Sequence, residues 1–164
     1  MAKYPVTITL HMSELLYDID NETWLVGESQ FNGENRQAVS LMQSGEDEES
    51  RNHILRDIST AIGNLSSALK EYQFAGNEHS SNLLLSADDD IVVSLAMPGN
   101  FDISSVSALT EAIHQYIVNF AISRWFGATA KDEAARYSES AAAYLSQVRE
   151  IVGRRVRPGR PQIL

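Results

Sequence analysis

The sequence predicts a mostly α (α+β) fold: an antiparallel helical bundle of three to four helices with a small β-hairpin and a short N-terminal strand. Three observations predict it. Leu55, Ile58, Ile62, Leu65, Leu69 and Tyr72 recur at alternating spacings of three and four, which draws one narrow apolar seam along a helix. Residues 103–126 carry a wider apolar face, and Gly127 separates them by a very short link from a third periodic segment, so these two helices must run antiparallel. Between the first and second helices, β-branched Ile91, Val92 and Val93 break the helical period.

Taken in order, Val6, Ile8 and Leu10 alternate with Thr7 and Thr9 after Pro5, the pattern of a half-buried strand. Ser13 can cap a helix in which Leu16, Ile19, Thr23 and Val26 form the buried stripe, with Trp24 near it and Gly27 as its end. Residues 28–49 are polar and glycine-containing and read as a loop. The crowded Glu46-Asp47-Glu48-Glu49 then sits where a helix N-terminus exposes its amide dipoles, which explains the acidic run without a metal ion. The seam helix spans about 50–74, with Gly76 as its stop. Leu83–Ser86 and Ile91–Ala96 flank Ala87-Asp88-Asp89-Asp90, predicting a hairpin with an acidic tip. The three aspartates lack the alternating order and distal glutamate of a calcium loop. After Pro98-Gly99-Asn100, Asp102 can cap the helix at 103–126. Ile103, Val106, Leu109, Ile113, Ile117 and Phe120 lie on one of its faces, with Val118, Ile122 and Trp125 beside them, as a central helix requires. Thr129-x-x-Asp132 starts the last helix, whose seam is Tyr137, Ala141, Tyr144, Val148 and Ile151.

At 164 residues the chain has material for one domain, 1–153, followed by an extended basic tail, 154–164. The absence of cysteine excludes a disulfide framework, thiol catalysis and thiolate zinc sites. No apolar stretch predicts a membrane span or a signal peptide, so a cytoplasmic location is expected. The net charge of −9 argues against a body that wraps nucleic acid. That charge is uneven: the last sixteen residues carry +4, which leaves −13 on residues 1–148.

The chemistry of catalysis is not visible. His11, His53, His79 and His114 are scattered, and no serine or threonine sits in a nucleophile elbow. Glu111-Ala-Ile-His114 has the spacing of a diiron ligand pair, but the second such pair that these sites need is missing. Glu49 and His53, one turn apart, are an ordinary helix-surface pair. No phosphate-binding glycine motif occurs. The expectation is therefore a protein that is not an enzyme and has no catalytic, cofactor or metal residues. The candidate partner-binding residues are the tail arginines Arg154, Arg155, Arg157 and Arg160, an arm suited to an acidic surface of a neighbouring copy or to nucleic acid.

Ala121-Ile-Ser-Arg-Trp-Phe126, Lys131-Asp-Glu-Ala-Ala-Arg-Tyr137, Ala141-Ala-Ala-Tyr-Leu145 and the arginine/proline tail resemble small virion proteins of tailed phages and prophages, of the head–tail connector or neck-ring type. The likeness covers about the last 65 residues and carries over no site residue. It implies a homo-oligomeric ring subunit with extended arms, other virion proteins as partners, and a place in the virion. The alternative is a cytoplasmic adaptor or regulatory module that binds a protein or DNA through the same tail.

Overall fold

The computed structural model describes residues 3–73 and 85–158. The first strand, β1 (Lys3–His11), buries Val6, Ile8 and Leu10 and exposes the threonines between them. It runs straight into α1 (Met12–Ser29). Ser13 does not cap this helix: the N-cap position is His11, two residues earlier, and Met12 in the first turn is buried in the core. Gly27 does not end it either, lying inside the helix under the side chain of Gln43. A Cβ there would come within 2.8 Å of Gln43 Cγ. Trp24 is 51% exposed, not sheltered beside the buried stripe, because Leu15, Leu16, Ile19, Thr23 and Val26 occupy the core-facing positions and residue 24 turns past them.

The segment expected to be a loop holds a two-turn helix, α2 (Arg36–Met42), whose Val39 and Met42 are buried. Before it, Asn32 Oδ1 accepts from the amides of Glu34 and Asn35, and Gly33 sits at φ +94°, a left-handed conformation that suits glycine. The acidic run does open a helix. In α3 (Glu48–Ala68), Asp47 Oδ2 accepts from the Ser50 amide at 3.0 Å, and Glu48 and Glu49 fill the first turn. Leu55, Ile58, Leu65 and Leu69 of the expected seam are buried. Ile62 and Tyr72 pack partly against the core. The α-helix is shorter than the expected 50–74, giving way to a 3-10 turn at Lys70–Tyr72. Gly76 lies outside the described residues.

The second strand, β2 (Asp90–Pro98), pairs antiparallel with β1 from Lys3↔Pro98 to His11↔Asp90. The hairpin expected across residues 87–90 is therefore replaced, over the described residues, by a pairing between segments far apart in sequence. Leu85 and Ser86 carry no strand, and Ser86 and Asp89 close a turn; Leu83 and Leu84 are outside the described residues. The N-terminal strand wins on register. Opposite Ile91, Val93 and Leu95 it sets Leu10, Ile8 and Val6, one continuous apolar face. That face lies on α4 (Val106–Phe126), which also packs against α1, α3 and α5 (Lys131–Val152).

The central position expected for this helix is what its sequence dictates. Leu109, Ala112, Ile113, Tyr116, Ile117, Val118, Ala121, Ile122 and Phe126 are all buried, covering nearly its whole circumference. A 3-10 turn at Ile103–Ser105 precedes it, with Asp102 as cap and Ile103 exposed. Residues 127–130 turn the chain back so that α5 runs antiparallel to α4. Thr129 supplies no cap for α5; the amides of Thr129 and Ala130 both bond back to the carbonyl of Phe126.

Candidate interaction site

The C-terminal arm is rooted in the body. Arg155 Nη1 donates to the carbonyls of Val152 at 2.8 Å and Arg154 at 2.9 Å, tying off the last turn of α5, where carbonyls lack helical partners. The backbone then pairs with the segment before α4: the Asp102 amide donates to Arg154 O, and the Val156 amide donates to Asn100 O at 2.9 Å. The four predicted arm arginines thus have different surroundings. Arg155 is half-buried in the root, and Arg154 lies 3.9 Å from Glu150. Arg154 also faces Asp102, whose carboxyl is held below its ordinary range by hydrogen bonds from Ser104, with the guanidinium charge adding to the effect. Arg157 is exposed, and Arg160 lies outside the described residues.

A cleft opens between α1, α4 and α5. Asp18, Asn21 and Glu22 reach it from α1, since positions i, i+3 and i+4 share a helix face. Gln115, Val118, Asn119 and Ile122 line it from α4, and Tyr137, Ser140 and Tyr144 from α5, around a volume of about 290 Å³. His114 Nε2 lies 2.5 Å from Asp18 Oδ2, and Tyr137 Oη donates to Glu22 Oε2 at 3.0 Å. Burial first, and then the Glu22 carboxylate, push the Tyr137 phenol up to about 12, so it stays a donor at neutral pH. Asp18 and Glu22 each keep a second oxygen with no hydrogen-bond donor among the described residues. Among the described residues no lysine or arginine lines the cleft. The Arg136 guanidinium sits over the Tyr137 ring, pairs with Glu133 and, by hydrogen bond and charge, partly offsets the rise of the Tyr137 phenol. Such a wall of acceptors and tyrosine rings suits a cation with several donors.

Two carboxylates outside the cleft, Asp57 and Asp20, are already matched. Asp57, 3% exposed, accepts from Arg124 Nε at 3.2 Å and faces His53 Nδ1 at 3.0 Å. Asp20 accepts from Arg51 at 2.9 Å and from Ser44 Oγ at 2.7 Å. The spacings weighed from sequence resolve differently. His114 turns to Asp18 while Glu111 accepts from Gln115, and His53 turns to Asp57 instead of Glu49. Among the described residues no group of three histidine or carboxylate side chains could hold a metal ion.

The chain matches no family model, no curated protein and no solved structure. Its candidate interaction features are the arm and the cleft, and Tyr17, Trp24 and Leu25 of α1 and Leu41 of α2 are each about half to two-thirds exposed. The cleft escaped the sequence because its parts come from three helices. The one local signal was the i, i+4 pair Asp18 and Glu22, which resembles any solvated helix face.

Proposed function

We propose that the chain is a non-enzymatic assembly subunit, of the head–tail connector type of a phage particle, that joins copies of itself into a ring or other oligomer through its basic C-terminal arm. The anchored root of that arm carries the reading. Residues 154–156 are fixed to residues 100–102 and to the end of α5, so Arg157 starts from a set point on an acidic body. A preset start reduces the ordering entropy that docking must overcome. The exposed large apolar side chains Tyr17, Trp24 and Leu25 of α1 and Leu41 of α2 support the reading, as contacts between proteins cover such surface. The resemblance of the last 65 residues to neck-ring proteins points the same way. Each copy would give an arm and receive one, a heterologous contact that closes a ring where the rotation permits. The partners are then other copies and other virion proteins, with no cofactor or small-molecule substrate.

Sedimentation velocity at rising protein concentration, with and without a DNA duplex, tests this. Mass that grows with concentration and is indifferent to DNA supports assembly. A monomer at every concentration that gains mass only with DNA would replace assembly with the adaptor reading. In that case log affinity should fall against log salt by about 0.9 per neutralised phosphate.

A further inference from the structure

We propose that the cleft between α1, α4 and α5 is a guanidinium site that receives Arg157 from the arm of a second copy. The proposal rests on arm-mediated assembly and supplies the acceptor which that reading leaves unassigned.

The cleft has the chemistry for the task. Two carboxylates one helical turn apart each hold one oxygen in an internal hydrogen bond and leave the other unpartnered among the described residues. The side chains of Asn21, Gln115, Asn119 and Ser140 add polar atoms, and Tyr144 adds a ring wall. A guanidinium is all donors and planar, so it can engage carboxylates in a fork while lying against an aromatic face. The paired carboxylates elsewhere make the contrast: Asp20 and Asp57 have Arg51 and Arg124 as resident cations, while Asp18 and Glu22 have only a histidine and a phenol. Arg136 is not among the residues that line the cleft; it pairs with Glu133 and also acts on the Tyr137 hydroxyl.

The arm's direction and length argue for a second copy. The root retraces residues 102 to 100 in reverse and so leaves away from the start of α4. The cleft lies toward the other end of both helices from the root, at residues 115–122 of α4 and 137–144 of α5. Tyr144, the near edge of the cleft, is roughly 14 Å back along α5 from Gly153 at the helical rise. With residues 154–156 held to residues 100–102, Arg157 has only about 3.6 Å of backbone and its own side chain with which to turn back toward it. A neighbouring copy's cleft is open to it. Beyond Tyr144 a second pocket is lined by Glu111, Gln147 and Glu150, and there Arg154 of the same copy already stands beside Glu150.

The test uses full-length protein and compares self-association by sedimentation equilibrium. The variants are Arg157→Gln, the pair Asp18→Asn with Glu22→Gln, and Ser140→Arg, which supplies the cleft with a guanidinium of its own. Thermal melts check that each keeps its fold; Ser140→Arg leaves both carboxylates in place, so it tests the site even if the neutralised pair proves unstable. The expected result is a dissociation constant raised about ten- to a hundredfold by each change. Adding Arg157→Gln to either cleft change should then cost little more, because both remove one contact. If Arg157→Gln weakens association while folded cleft variants associate like the parent, the cleft assignment is overturned and arm-mediated assembly stands. If the parent chain does not self-associate at all, both fall.

Discussion

The two flanks of α1 treat their carboxylates in opposite ways. On one, Asp20 is closed by Arg51 and by Ser44, which also bonds Thr23, and α1 is thereby stitched to α3 and to the segment after α2. On the other, Asp18 and Glu22 look into a cleft that, among the described residues, no arginine or lysine lines. Asp57 on α3 extends the first class, buried between His53 and Arg124. A carboxylate with a resident cation contributes to the fold. One kept partly desolvated without such a partner is available to an incoming cation, and the difference separates structural charge from interaction charge.

Substitutions sharpen this division, beginning with the largest effect. Asp57→Ala removes the acceptor of Arg124 and opens a small void, so urea denaturation should show a loss of about 2–3 kcal/mol, at the low end for a broken buried pair because Arg124 is itself half exposed. Asp20→Ala should lose about 1–2 kcal/mol by the same measurement. Glu22→Gln should change stability by less than about 1 kcal/mol while weakening self-association. If Glu22→Gln instead unfolded the chain as Asp57→Ala does, the two flanks would not differ in kind.

Alkaline titration reads the open flank directly. The Tyr137 phenol should ionise near 12, and Glu22→Gln should lower that value, as seen by absorbance or ring-carbon NMR. Because its folded value is raised above 10.0, the stability it contributes is complete below pH 10 and is lost as pH rises through about 12. The smallest effect lies at the end of the sheet. Asp90 raises the His11 imidazole above 6.5, through its hydrogen bond first and its charge second. His11 therefore supports the folded state below pH 6.5 and ceases to do so as pH rises through its raised value, a dependence that Asp90→Asn should abolish in an NMR titration.

Much of the fold was legible because its signals are local. The 55–72 seam, the apolar circumference of α4 and the short link to α5 all follow from spacing within one segment. Strand pairing was not. Ile91–Ala96 announced a strand, but its partner depended on a register with Val6, Ile8 and Leu10 some eighty residues away, and proximity in sequence favoured the wrong neighbour. Helix α2 was hidden in a polar stretch because only Val39 and Met42 face inward, too few to show a period. The arm was legible as charge. Its anchoring by Arg155 depends on where α5 ends relative to residues 100–102, which no local pattern records.

The most direct test of arm-mediated assembly is the light-scattering mass, at several concentrations, of the intact chain beside one ending at Val156. That truncation keeps the Arg155 cap and the Val156–Asn100 hydrogen bond, so the body should retain its fold while losing Arg157 and Arg160. The account predicts an oligomer for the intact chain and a folded species of lower mass for the shortened one. Equal masses at every concentration would contradict it.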